Sequence, residues 1–106
     1  MDMTSSVSSI GSVLPTLNSA LQGFGTQAAT AANNIANVDS TGYKALRANT
    51  VSMDPGMRAV VEPTNQGVDL GSQLVNLTTA KQSYQAAAAA MGSISRTEKK
   101  ALDLIG

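Results

Sequence analysis

A long heptad pattern of apolar residues constrains the fold more than any other feature of this sequence. The apolar positions follow one another at alternating steps of four and three residues over eleven positions. They are Met3, Val7, Ile10, Leu14, Leu17, Leu21, Phe24, Ala28, Ala31, Ile35 and Val38. Such a repeat forms one narrow helical face and favours a left-handed supercoil with a second helix. The residues expected to pack between helices here are Leu14, Leu17, Leu21, Phe24, Ala28, Ala31 and Ile35.

Pro15 interrupts this pattern near its start. Proline has no backbone N–H and its ring clashes with the preceding helical turn, so it is best tolerated in the first turn of a helix. We therefore expect a helix over residues 15–38, with Ser12 as a possible cap. Residues 1–14 are then a kinked or separate N-terminal segment.

A second periodic stretch predicts a helix over residues 68–106. Its register weakens at a few polar positions, and the run of five alanines at 86–90 is a strong helix former. Small side chains on every face of that run also allow neighbouring helices to approach closely. The expected packing residues are Leu70, Leu74, Leu77, Ala88, Met91, Leu102 and Ile105.

The residues between the two helices, 39–67, contain most of the turn-forming glycines and prolines. Short β-branched runs at 50–53 and 59–62 are compatible with strands, and the Asp-Pro-Gly sequence at 54–56 with a turn between them. The sequence thus predicts one mainly α domain over residues 1–106. In it, two long antiparallel helices form a coiled-coil-like hairpin, joined by an extended loop or a small β-hairpin.

Composition excludes many chemistries. The chain of 106 residues has no His and no Cys, so imidazole catalysis, thiol nucleophiles and Cys/His metal sites are absent. Its carboxylates are scattered without a spacing that suggests acid/base pairs. Seven basic and seven acidic residues give no net charge, which argues against nucleic-acid binding. We predict that the protein is not an enzyme and uses no cofactor or metal.

Uncharged polar residues take the place of charges in both predicted helices. No charged residue occurs between Met3 and Val38 or between Gln82 and Ser95. The first stretch is long enough to cross a membrane, but its five amides between Leu21 and Val38 make a span unfavourable. Because 16 of the apolar residues are alanines, a single chain can bury only a small apolar core. We infer that these helices are surrounded by other protein, either copies of this chain or related subunits.

A dense motif follows the first helix and carries a resemblance. It runs Ala-Asn-Asn-Ile-Ala-Asn-Val-Asp-Ser-Thr-Gly-Tyr-Lys from residue 32 to residue 44. This motif resembles the N-terminal signature of flagellar basal-body rod and hook proteins, and residues 68–105 are similar to the C-terminal helix of the same family. The positions that carry the match, and which the resemblance implies act in assembly, are Asn33, Asn34, Ile35, Asn37, Thr41, Gly42, Tyr43, Lys44, Tyr84 and Gln85.

The resemblance implies a structural subunit of the periplasmic rod, the shaft that transmits torque in the flagellar motor. It further implies helical polymerisation with copies of itself and with other rod proteins. The resemblance also implies delivery by the flagellar export apparatus without signal cleavage. The N-terminus has neither the basic segment nor the continuous apolar segment of a cleavable signal peptide. The short middle segment is most like that of a proximal rod subunit. The alternatives are a small helical-hairpin subunit or adaptor of a type III-like secretion system, and an export regulator that does not assemble.

Overall fold

The chain forms two long helices joined by a β-hairpin. The computed structural model describes the backbone of residues 3–105 and the side chains of residues 13–105. Helix α1 spans Met3–Ala36, strands β1 and β2 span Leu46–Ser52 and Met57–Pro63, and helix α2 spans Leu70–Ile105. The two helices and the small antiparallel sheet confirm the mainly α class that the sequence predicted.

Helix α1 differs from its predicted bounds. It is continuous from Met3 through Pro15, whereas we expected a helix from residue 15 onward. A proline removes one N–H from the helical ladder, and here full helical turns on both sides of it continue the pattern. The helix also ends at Ala36, before the predicted end at Val38, because the asparagine-rich segment described below turns the chain. The first three heptad positions lie where only the backbone is described.

The two helices run antiparallel along a body of 62 × 21 × 16 Å. Asn34, near the end of α1, is hydrogen-bonded to Gln73, near the start of α2. Gly25, earlier in α1, lies beside the ring of Tyr84, later in α2. Residues progressively earlier in α1 therefore meet residues progressively later in α2.

The core between the helices is built from small side chains. The buried apolar residues of the described chain are Ala31, Ala45, Ala80 and Ala87. Alanine lets two backbones approach closely, but each alanine removes little apolar surface from water. Larger apolar side chains of α1 surround this line and are half-buried. The thin core that the composition indicated is therefore present in the structure.

The hairpin forms around the predicted turn. Its strands pair from Leu46 opposite Pro63 to Ser52 opposite Met57. β1 begins four residues before the expected run and ends one residue before its expected end, whereas β2 is longer than its expected run at both ends. The turn closes through a 2.9 Å hydrogen bond from the Met53 amide to the Gly56 carbonyl. Gly56 has φ +84°, a left-handed conformation that glycine adopts without steric cost. The sheet lies against α1, which gives this two-stranded element the support that an isolated hairpin lacks.

Candidate functional site at the end of the first helix

Asn34 is the centre of the most highly connected polar cluster in the described chain. It lies in the last turn of α1 and is completely buried. Its amide nitrogen donates to the Leu46 carbonyl at 2.8 Å and to Gln73 Oε1 at 3.0 Å. Its amide oxygen accepts from the Tyr43 hydroxyl at 3.0 Å and from the Leu46 amide at 2.9 Å. Both donors and both acceptor positions of the side chain are therefore used.

The four hydrogen bonds of Asn34 join three separate parts of the fold. Leu46 is the first residue of β1, Gln73 lies in the first turn of α2, and Tyr43 lies in the connection after α1. A buried amide with a full set of partners is favourable, whereas a partly satisfied one costs free energy. The side chain of Asn34 therefore fixes the hairpin and α2 relative to the end of α1. We call Asn34 with Tyr43, Leu46 and Gln73 the asparagine hub.

Asn37 ends the helix next to the hub. Its backbone amide donates to the carbonyls of Asn33 and Asn34, both at 3.2 Å. Its side-chain nitrogen donates to the Asn33 carbonyl at 2.9 Å, and its side-chain oxygen accepts from the Ser40 hydroxyl at 3.1 Å. The last carbonyls of a helix have no intrahelical partner, and Asn37 donates to two of them, those of Asn33 and Asn34. Asn33 itself is exposed, so the two neighbouring asparagines of the motif have different roles.

Gly42 then reverses the direction of the chain. It has φ +77°, a region that other residues rarely adopt, and an added Cβ would meet no atom within 4 Å. The requirement for glycine is thus one of backbone conformation and not of space. The reversal brings Tyr43 back to the hub, where the ring is half-buried and the hydroxyl is bonded. Thr41 and Lys44 are exposed on either side of the turn.

Ala45 connects the hub to the segment that precedes α2. Its amide donates to the Gln66 carbonyl at 2.8 Å. Its carbonyl accepts from the Thr64 amide at 3.1 Å and the Thr64 hydroxyl at 2.6 Å. Asp69 then caps α2, because its carboxylate accepts from the Ser72 amide at 3.3 Å. Sequence reasoning missed Ala45, Thr64 and Gln66, which no periodic pattern marks.

A second set of contacts holds the tip of the hairpin to α1. The Ser19 hydroxyl accepts from the Met57 amide at 3.1 Å and donates to the Thr16 carbonyl at 3.0 Å. A Cβ at Gly23 would collide with the Met57 side chain, so the absence of a side chain at this buried glycine leaves the space that Met57 occupies. Ser19 and Gly23 were not among the predicted site residues.

The structure divides the predicted packing residues into three groups. Ala31 is buried, and the half-buried group comprises Leu14, Leu17, Leu21, Phe24, Ala28, Ile35, Leu77 and Met91. The exposed group comprises Leu70, Leu74, Ala88, Leu102 and Ile105. Tyr84, one of the positions that carry the resemblance, is 44% exposed, and Gln85 is exposed. Within the single chain, the buried residues of α2 are Ala80 and Ala87, whereas Ala88 is exposed and is expected to contact a neighbouring subunit.

The fold belongs to the class of helical hairpins. Its two helices are joined at one end by the asparagine hub and by the small sheet. Residues 14–44 match the family model described as flagella basal body rod protein. No curated protein matches the chain. The matched stretch covers most of α1, the capping segment and Tyr43 of the hub.

The family match confirms the resemblance to the flagellar rod family that the motif indicated. It supports a structural role related to the basal-body rod, and a location in the flagellar basal body. The family is structural rather than catalytic. Within the described residues, no helix is sufficiently long and apolar to span a membrane.

Proposed function

We propose that this chain is a structural subunit of the flagellar basal-body rod and that it polymerises helically through its two helices. The observation that carries the proposal is the asparagine hub. Residues 33–44, which give the family match its most distinctive sequence, also form the joint that fixes α1, the hairpin and α2 together. A subunit that transmits torque needs such a joint, because its arms must keep their relative position under load.

The surface of the single chain supports assembly. Large apolar side chains are exposed at both ends of α2, including Val75 at 65%, Leu104 at 82% and Ile105 at 63%. Exposed apolar surface of this kind is typical of sites that are covered by another protein. The middle of α2 and the whole of α1 have no charged residue, so contact with a neighbour there would bury no charge.

In this proposal the helices form a coiled-coil-like pair inside each subunit and pack against neighbouring subunits in the wall of a tube. The half-buried heptad residues of α1 gain further burial from those neighbours. The short connection between the helices fits a proximal rod subunit, since the hook and distal-rod relatives insert large β-rich domains there. Its partners would be copies of itself, other rod proteins and the flagellar export apparatus, and it would be exported without cleavage of a signal peptide.

Localisation tests the proposal directly. We expect an epitope-tagged chain to co-purify with isolated basal bodies and to label the rod in electron micrographs. Deletion of the gene should abolish motility, and the wild-type gene should restore it. A tagged, motility-restoring protein that is secreted freely or remains with the export apparatus, and is absent from the rod, would refute the proposal. Those two outcomes correspond to the secretion-subunit and regulator alternatives.

A charge placed in the helix interface gives an independent test. Leu21→Asp puts a carboxylate among the half-buried apolar residues of α1. We expect it to prevent incorporation into basal bodies and to stop motility, because the charge must either lose its hydration or separate the helices. Asn18→Asp, at an exposed position one turn earlier, is the matched control and should be incorporated. Normal motility of Leu21→Asp would contradict the proposed packing.

A further inference from the structure

The outer edge of strand β1 has open backbone positions. In an antiparallel pair, successive residues of a strand direct their N–H and C=O groups alternately toward the partner strand and away from it. Leu46 directs both groups away from β2, because they are bonded to the Asn34 side chain. The same side of β1 therefore carries the backbone groups of Ala48, Thr50 and Ser52. For these outward groups the described part of the chain supplies no hydrogen-bond partner.

The outer edge of β2 has the same alternation and a shorter open stretch. Met57 directs its amide outward, and the Ser19 hydroxyl accepts it. Pro63, at the other end of the strand, has no N–H to donate. Between them, Ala59 and Val61 direct backbone groups outward, and no residue that the structure describes is bonded to these groups.

Empty space lies beside the edge of β1. A cleft of about 510 Å³ is lined by Ala48 on one side and by Asn76 and Thr79 of α2 on the other. Helix α1 lies against one face of the sheet, where the Gln27 side-chain nitrogen donates to the Thr50 hydroxyl at 2.9 Å. A strand added to β1 would therefore enter the cleft beside this helix. An open edge of this kind accepts an extended segment of another chain through main-chain hydrogen bonds.

We propose that the outer edge of β1 pairs with the outer edge of β2 from a second copy of this chain, so that the hairpins join into a continuous antiparallel sheet. The two edges are different surfaces, so the contact repeats head to tail and does not close into a dimer. It uses the open positions of both edges, whereas pairing of two like edges would leave the other edge of each copy open. The contact specifies one part of the proposed rod assembly and rests on that function.

The open positions of the two edges match each other in one register. Ala48 is then opposite Val61 of the neighbouring copy, and Thr50 is opposite its Ala59. Each of these two pairs exchanges two backbone hydrogen bonds. The proline that ends β2 falls opposite the first residue of β1, whose backbone groups are already bonded to the hub. The position without an N–H is therefore placed where none is needed.

Charge favours the same register and a second copy as the occupant. Arg47 and Glu62 lie on the face of the sheet away from α1, since strand residues alternate between faces and Thr50 bonds to α1. The register places Arg47 directly opposite Glu62 of the neighbouring copy. The Arg47 side chain is 63% exposed and lies 3.5 Å from its own Glu62, which leaves guanidinium N–H groups for a second carboxylate. A slip of two residues toward the turn would place the neighbouring Glu62 beside Asn49 instead.

Cysteine cross-linking tests the pairing, since the chain has no Cys. Val51 and Arg58 are exposed and face each other within one hairpin, and the proposed register also places them opposite each other between copies. The two cysteines are therefore placed on separate chains. Purified Val51→Cys mixed with purified Arg58→Cys should give a disulfide-linked heterodimer under mild oxidation. Arg58→Cys mixed with Thr78→Cys, at an exposed position of α2, is the control, and equal heterodimer yields in the two mixtures would overturn the proposal.

Homodimers of single variants report the competing arrangements. Val51→Cys alone forms a homodimer when two β1 edges pair, and Val60→Cys alone forms one when two β2 edges pair, because each cysteine then lies close to its own copy. We expect neither variant to exceed the homodimer yield of Thr78→Cys. A homodimer of either variant as the main product would overturn the head-to-tail contact.

Charge reversal gives a second readout. When both cysteine chains carry Arg47→Glu, the yield of the heterodimer should fall by about threefold to tenfold, because two carboxylates then face each other between copies. The yield should recover when the chain with Arg58→Cys carries Glu62→Arg instead. That combination restores opposite charges between copies and leaves like charges within each hairpin. Circular dichroism verifies that each variant is folded, and equal yields in the two combinations would overturn the proposed register.

The same cross-link in basal bodies separates this inference from the proposed function. In cells that carry both cysteine variants, a rod that contains both chains but no heterodimer would overturn the strand contact and leave the rod function standing. Absence of the chain from basal bodies would refute the function itself, and the purified chains would then decide the strand contact alone. Cross-linking of Val51→Cys to a different protein would show another occupant of the edge, and would also overturn the proposal.

Discussion

Replacement of Asn34 by leucine tests the central structural claim, that one buried amide fixes the arrangement of the three elements. The two side chains have similar size, so the change removes hydrogen bonds without opening a large cavity. Four bonds are lost: two that the amide donates and two that it accepts. We expect Asn34→Leu to destabilise the chain substantially.

The magnitude follows from the partners that are left behind. Tyr43 and Gln73 are half-buried and can turn toward water, but the amide and carbonyl of Leu46 are held in place by the backbone. A buried polar group without a partner costs about 1–3 kcal/mol. Because Leu46 is itself half-buried, we take the lower part of that range for its two groups, or about 2–4 kcal/mol. A domain of this size has a total free energy of unfolding of about 5–15 kcal/mol.

Urea and thermal unfolding, followed by circular dichroism, measure this loss. The melting temperature of Asn34→Leu should fall by about 10 °C or more. Asn33→Leu, at the exposed neighbouring position, is the control and should change the free energy of unfolding by about 0.5 kcal/mol or less. Tyr43→Phe removes one of the four bonds and should cost about 0.5–1.5 kcal/mol, which keeps the test informative if the leucine variant does not fold. Equal stability of Asn34→Leu and Asn33→Leu would refute the reasoning.

Three further predictions concern the hairpin and the helix contact. Gly56→Ala should destabilise the chain by about 1–2 kcal/mol more than Gly42→Ala in urea unfolding, because both glycines have positive φ but only at Gly56 would a Cβ collide with Ser19. Ala87→Glu should lower the melting temperature of the monomer, since Ala87 is buried against α1, whereas Ala88→Glu should leave the monomer stable and block incorporation into basal bodies. Ser19→Ala should raise the amide hydrogen-exchange rate at the hairpin tip while leaving exchange in the hub unchanged.

Local patterns were sufficient to predict the elements of this fold. The heptad repeat predicted α1, the alanine-rich stretch predicted α2, and the turn at residues 54–56 was compatible with the hairpin, which was one of two expected forms of the connection. These signals succeed because helix periodicity and turn chemistry depend on residues close in sequence. The sequence did not define which alanine of α2 faces α1. Five successive alanines carry no periodic signal, so the sequence could not distinguish Ala87, which packs on α1, from Ala88, which faces outward.

The hub was only partly predictable. The Asn-rich motif indicated a helix end with amides available for bonding, and Gly42 indicated a reversal of the chain. The choice of Asn34 as the buried amide, and of Gln73 as its partner 39 residues away, depends on how α2 packs. Glutamine in the first turn of a helix is ordinary, and nothing in its local sequence distinguishes it from Gln82 or Gln85. Long-range polar contacts of this kind become visible only when the packing is known.

The small size of the apolar core explains why a polar joint is needed at all. Buried alanines such as Ala31 and Ala80 each bury little area, and a smooth alanine surface allows two helices to slide or rotate past each other. Directional hydrogen bonds to Asn34 remove that freedom at one end of the pair. The free energy needed to separate the helices locally should therefore fall with distance from Asn34. An assembly that packed other subunits against the distal part of the helices would stabilise the pair where the hub stabilises it least.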